Sequence, residues 1–188
     1  MSIRRVVILH GYTAHPGKHW FGWLADQLAP HGIETHIPAL PDTDNPDAAA
    51  WTDAALAAIG TPGSDTVVIG HSLGTITAIR ALGRAFADDE GVRLGGLVLV
   101  APFIDPVPGL SVLDRFAENV PELASLAERI ERRLVIHSDH DPVVPIALAP
   151  PVVAGLAAEV VEIPGGGHFM ESEGWISLPP LAPWILGA

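Results

Sequence analysis

The chain has no cysteine, one lysine (Lys18), one tyrosine and two methionines. Without cysteine there can be no disulfide, no thiolate metal site and no cysteine nucleophile. Basic residues are scarce: 10 Lys and Arg stand against 22 Asp and Glu, for a formal charge of −12. Such a surface repels phosphate backbones and anionic lipids, so nucleic-acid and membrane partners are not expected. Long apolar runs are also missing. The mean hydropathy is +0.34, yet no stretch approaches the ~20 residues that cross a bilayer. Near the N-terminus the only apolar stretch is Val6 to Leu9, short of the roughly 7–15 residues of a signal-peptide core. That run reads as a first strand, and a cytoplasmic location is expected. No repeat, low-complexity tract or linker interrupts the chain, so residues 1–188 are expected to form one domain.

Six short apolar runs are present: Arg5–Leu9, Ile33–Ile37, Thr66–Ile69, Gly96–Val100, Leu134–His137 and Glu159–Ile163. Several are almost continuous in Val, Ile and Leu, as strands buried on both faces are. Helical spacing separates them. His19–Leu28 places Trp20, Trp23, Leu24 and Leu28 along one side, and Asp47–Ile59 is an alanine-rich segment after Pro46. Leu73–Ala87, Glu122–Arg132, Ile146–Leu156 and Leu181–Leu186 complete the expected helices. Alternating strands and helices imply a three-layer α/β fold: a six-stranded parallel sheet between helices, in the order 2-1-3-4-5-6. About thirty residues, Phe103 to Arg132, separate the fourth and fifth strands. They leave room for a helix or two but no large cap domain.

In such a sheet chemistry gathers at the carboxyl ends of the strands. His10-Gly11-Tyr12-Thr13 follows the first strand and Gly70-His71-Ser72-Leu73-Gly74 the third. His137-Ser138-Asp139-His140-Asp141-Pro142 follows the fifth, and Gly165-Gly166-Gly167-His168-Phe169 the sixth. Serine, then acid, then histidine is the chain order of a nucleophile-elbow hydrolase. A serine hydroxyl is a weak nucleophile until a base removes its proton. His168, delivered by three glycines, fits that role. An acid must then orient the imidazole. Asp141 and Asp139 both qualify by position; Asp141 is preferred because Pro142 makes its turn rigid. Amides of Leu73 and Tyr12 are the candidate oxyanion donors. Trp20, Phe103 and Phe169 are candidate substrate-cleft residues; core packing is the favoured alternative for Trp20 and an equal one for Phe103 and Phe169. Nine histidines also raise a metal reading, but "HSDHD" matches no standard zinc spacing and no metal site is expected.

Together, "VVILHGYTAHPGKHWFGWL", "VVIGHSLGT", "LVLVAPF", "HSDHDPVVP" and "IPGGGHF" resemble the small α/β-hydrolase family of retinoblastoma-binding protein 9 and bacterial YdeN. The similarity runs over nearly the whole chain. It implies a minimal hydrolase fold, a nucleophile at Ser72, an acid at Asp141 and a base at His168, with no cofactor. A cysteine-containing pocket-protein motif cannot exist here, so that partner binding does not carry over. The expected activity is hydrolysis of a small ester, thioester or amide through an acyl-enzyme, by a monomer or homodimer. The alternatives are a catalytically weak binding protein of the same fold and, less favoured, a metal-dependent hydrolase.

Overall fold

The computed structural model of the protein describes residues 2–187. Six parallel strands form one sheet in the order β2-β1-β3-β4-β5-β6. They are β1 (Arg5–Leu9), β2 (Glu34–His36), β3 (Thr66–His71), β4 (Leu94–Val100), β5 (Ile130–His137) and β6 (Glu159–Glu162). The order is the one expected from the sequence.

Side chains alternate across a strand, and the four central strands use both faces. Val7 and Leu9 of β1, Val68 of β3, Leu97 and Leu99 of β4 and Val135 of β5 belong to one buried cluster. Their neighbours Val6, Ile8, Val67, Ile69, Val98, Val100, Leu134 and Ile136 belong to the other. This two-sided burial is why these strands read as continuous apolar runs. The edges differ. Strand β2 (ETH) and strand β6 (EVVE) are short, mostly exposed and acidic, features that discourage edge-to-edge pairing.

Helices α1 (Phe21–Leu28) and α6 (Leu181–Leu186) supply Leu24, Leu28, Leu181 and Ile185 to the second cluster. Helices α2 (Ala48–Ile59), α3 (Leu73–Asp88), α4 (Leu123–Ala127) and α5 (Ala149–Leu156) cover the first. Asp47 caps α2 by accepting a hydrogen bond from the Ala50 amide at 2.8 Å, and Gly60 ends it with a positive φ of 60°.

The expected helix over 122–132 is shorter in the structure. After Ala127 the chain enters β5, where Ile130 and Arg132 lie opposite Leu94 and Gly96 of β4. A sheet ladder thus overrides the helical propensity of the Glu-Arg-Arg run. Residues between β4 and α4 include one 3-10 segment, Ser111–Ala117. Phe116 seats it edge-on against Trp51, with ring centroids 5.7 Å apart. Arg80 of α3 donates to the Phe116 carbonyl at 3.1 Å and to the Glu118 carbonyl. This crossing is fastened to α3. No described helix is long and apolar enough to cross a membrane.

Candidate active site

The geometry begins at the end of β3. Ser72 has φ 54° and ψ −121°, a positive-φ backbone costly for any residue with a Cβ. Its amide donates to the Val100 carbonyl at 2.9 Å, and its carbonyl accepts from the Thr75 amide at 2.8 Å and hydroxyl at 2.6 Å. The flanking glycines are required by space. A Cβ on Gly70 would lie 2.5 Å from the Gly74 carbonyl oxygen, and one on Gly74 only 2.1 Å from the Leu9 carbonyl oxygen. The loop after β1 passes just as closely, since a Cβ on Gly11 would stand 3.0 Å from the Ser72 Cβ.

His168 and Asp141 meet. Nδ1 of His168 lies 2.8 Å from Oδ2 of Asp141, with the side chains only 5% and 3% exposed. The other carboxylate oxygen accepts from the amides of Val143 at 2.8 Å and Val144 at 2.9 Å. With an ionised carboxylate as acceptor, Nδ1 carries the proton and Nε2 keeps its lone pair. Asp139 does something different. It accepts from the Gly165 amide at 2.7 Å, tying the β5 loop to the β6 loop.

The backbone of His168 is held on both sides. Its amide donates to Glu173 at 3.1 and 2.9 Å, and the Met170 amide donates to the same carboxylate at 3.0 Å. Its carbonyl accepts from Nε2 of His71 at 2.8 Å. Burial pushes the His71 pKa well below the ordinary value, so the ring is neutral. The side chain of His71 points away from solvent into packing contact with His19, Trp20, Phe21 and the His168 ring.

A second tie links the β1 loop to this segment. Lys18 reaches Glu171 at 2.7 Å, the His19 amide donates to Glu171 at 3.1 Å, and His19 Nδ1 accepts from the Glu171 amide at 3.0 Å. The hydrogen bond from Lys18 draws the Glu171 pKa down. Burial lowers that of His19 to about 4. His10 is also buried and lowered; its Nε2 accepts from the Leu40 amide at 3.1 Å, while Nδ1 faces the Gly11 carbonyl at 3.0 Å.

Leu73 and Tyr12, the expected oxyanion donors, lie in the segments after β3 and β1. Leu73 is the first residue of α3, where amides have no partner within the helix. In the facing loop the Thr13 and Ala14 amides are committed to the Thr43 and Gly11 carbonyls, and Tyr12 precedes them.

The cleft residues require correction. Trp20 and Phe169 are fully buried in the cluster beneath α1 and α6, and Phe103 is 1% exposed in the opposite cluster. Rings with no free surface are core, and their apolar bulk is satisfied by packing. Among the described residues no cluster of three or more His, Asp or Glu could hold a metal ion. The larger concavities lie elsewhere, such as one of about 320 Å³ lined by Ile3, Ile33, Arg132 and Ile185. Size alone would therefore misplace the site.

Residues 6–184 match the family model described as serine hydrolase. The chain belongs to the serine hydrolase family. It is 32% identical over 176 residues to the protein YdeN of Bacillus subtilis (strain 168), covering 94% of this chain and 91% of that protein. The crystal structure of the B. subtilis ydeN gene product superposes with a TM-score of 0.89 at 31% identity, covering 98% of this chain and 97% of the other. Est1E from Butyrivibrio proteoclasticus, at 16% identity and a TM-score of 0.68 over 99% of this chain and 86% of its own, shares the fold. This serine hydrolase family member thus has the α/β-hydrolase fold, reduced to six parallel strands.

Two site features lay outside sequence reasoning: the carboxylates of Glu171 and Glu173, and the bond from His71 to the His168 carbonyl. The acids are visible in "HFMESE", but nothing local signals that Glu173 folds back onto the preceding amides.

Proposed function

We propose that the protein hydrolyses a small acyl ester by a Ser72–His168–Asp141 mechanism. One observation carries the reading: a buried 2.8 Å contact between His168 and Asp141, tied through the His168 carbonyl to His71, the residue before the strained turn at Ser72. Nε2 of His168 takes the Ser72 proton as Oγ bonds to the substrate carbonyl carbon. The tetrahedral oxyanion accepts hydrogen bonds from the Leu73 and Tyr12 amides. Collapse breaks the bond to the leaving alcohol, which receives the proton from His168. Water, deprotonated by the same histidine, then attacks the acyl-enzyme, and Ser72 recovers its proton as the acid departs. Asp141 keeps the productive tautomer and stabilises the imidazolium. Thioesters and amides react through the same steps. Only about thirty residues separate β4 from β5, room for no large lid, which favours small or extended acyl groups over buried long chains.

The test is intact-mass analysis after exposure to a fluorophosphonate, with and without EDTA. One adduct on Ser72, absent in Ser72→Ala and indifferent to EDTA, is expected. A folded protein with no adduct would instead favour a binding role, and EDTA-sensitive turnover without an adduct a metal mechanism.

A further inference from the structure

We infer that Glu173 is a positioning residue for the base, setting the His168 imidazole by gripping the backbone on either side of it. This rests on the assignment of His168 as base. His168 sits between two positive-φ residues, Gly167 at φ 61° and Phe169 at φ 58°. For Phe169 that conformation is intrinsically unfavourable, so neighbours must impose it.

Three contacts do so. The Glu173 carboxylate accepts from the amides of His168 and Met170, bracketing Phe169. His71 donates to the His168 carbonyl. The Phe169 ring is fully buried, with Trp175 packed against it at 5.3 Å. Bonds to an ionised acceptor are the stronger kind, and one carboxylate oxygen serves two of them, at 2.9 and 3.0 Å. Gly167 makes the approach feasible, since a Cβ there would lie 2.5 Å from the Glu173 carboxylate. Glu173 is itself an exposed residue. Its substitution leaves the two hydrophobic clusters intact.

Misplacing a catalytic group by about 1 Å costs up to 10²-fold. Replacing Glu173 with Ala removes the grip. Glu173→Asp keeps the charge but shortens the arm by one methylene. Glu173→Gln keeps the length and an oxygen able to serve both amides. With p-nitrophenyl acetate as probe, Glu173→Ala is expected to lower kcat by about 10–100-fold with KM within about 2-fold. Glu173→Asp should lose about 10-fold, and Glu173→Gln should stay within about 3-fold of the parent. If the alanine variant does not fold, the Asp and Gln pair decides.

The low-field proton NMR signal of His168 Nδ1–H, identified by its loss in His168→Ala, is recorded without turnover. It should be sharp in the parent and Glu173→Gln, and broadened or lost in the other two. A parent that takes no fluorophosphonate adduct would sink the hydrolase reading alone, because this signal still reports the grip. Ala and Asp variants with parental kcat, or an unchanged His168 signal across all three, would overturn the role given to Glu173.

Discussion

Replacing Asp141 with Asn is the most discriminating perturbation, because the surroundings dictate how the new side chain must sit. Oδ1 of Asp141 accepts from the Val143 and Val144 amides at 2.8 and 2.9 Å, while Oδ2 faces Nδ1 of His168 at 2.8 Å. Asparagine has one acceptor oxygen and one donating amide. Turning the NH2 toward the two valine amides would leave both without acceptors, at about 1–3 kcal/mol each, or roughly 2–6 kcal/mol together. The oxygen therefore stays with the valines and the NH2 faces the imidazole. His168 Nδ1 must then accept, which puts the proton on Nε2, where it cannot take one from Ser72. A wrong-tautomer block of this kind costs about 10⁴-fold in kcat, or about 5.5 kcal/mol of transition-state stabilisation. Asp139→Asn is the matched control. Its single bond, from the Gly165 amide at 2.7 Å, needs only an acceptor oxygen that Asn retains, so kcat should change less than about 3-fold. The assay is p-nitrophenyl acetate hydrolysis, with circular dichroism confirming the fold. A larger loss at position 139, or more than a tenth of the parental kcat in Asp141→Asn, would refute the reasoning.

Other outcomes follow from the same geometry. Gly74→Ala drives a Cβ to 2.1 Å from the Leu9 carbonyl oxygen, backbone that cannot move aside. About 2 kcal/mol or more should be lost, seen as a fall in Tm of roughly 4–8 °C, and an unchanged Tm would contradict the packing account. Ser72→Gly relieves the strain at φ 54° worth about 1–3 kcal/mol against a glycine entropy cost of about 0.5–1 kcal/mol. It should melt about 2–4 °C higher while Ser72→Ala does not; equal melting of the two would remove the strain argument. His10, His19 and His71 have lowered pKa values in the fold, so below pH 6.5 the unfolded chain takes up protons that the native state refuses. Urea midpoints should therefore drop steadily from pH 6.5 towards pH 4, the region where His19 itself titrates, by at most about 1.4 kcal/mol per pH unit per histidine and less for partly exposed His19. A flat profile over that range would show that these rings do not stay neutral.

Much of the fold was legible because strand burial leaves a local signature. Arg5–Leu9 and Leu181–Leu186 have the limits their patterns predict, and the central strands announce their two-sided burial through unbroken Val, Ile and Leu. The limits that moved are those set by partners distant in sequence. Ile130–Arg132 reads as helix alone and is strand only because β4 lies beside it. The site divides in the same way. Chain order and strand ends were enough to anticipate that His168 and Asp141 would approach each other. Trp20, Phe103 and Phe169 could be read from sequence as either cleft lining or packing, since hydrophobic bulk reads alike whether it meets a ligand or Leu178 and Ile185. Asp139 and Asp141 both follow β5; Asp141, preferred for its Pro142 turn, is the one that meets His168 Nδ1, while Asp139 holds the Gly165 amide. The grip of Glu173 on the His168 amide has no sequence counterpart, as it depends on a 3-10 turn folding its carboxylate back by five residues.

The distribution of backbone strain links these observations. Eight non-glycine residues adopt positive φ among those described, and five of them, Thr13, His19, Ser72, Ala101 and Phe169, lie just beyond strands or in the loops joining strand ends to helices around the site. Each is held by an identified bond. The Thr13 amide reaches Thr43, that of His19 reaches Glu171, that of Ser72 reaches Val100, and that of Ala101 reaches Ile136; Phe169 is bracketed by the two amides on Glu173. Conformations costing about 1–3 kcal/mol apiece persist only where surroundings over-determine them. Here the surroundings are the sheet itself, the Thr43 loop between β2 and α2, and two acidic residues following the last strand. The strain at Ser72 cannot relax without breaking a bond to the end of β4, and the strain beside His168 cannot relax without releasing Glu173. Serine is thus positioned by the sheet, and histidine by an added turn together with the bond from His71 at the end of β3. A change at Glu173 should accordingly loosen the base while leaving the presentation of the nucleophile intact.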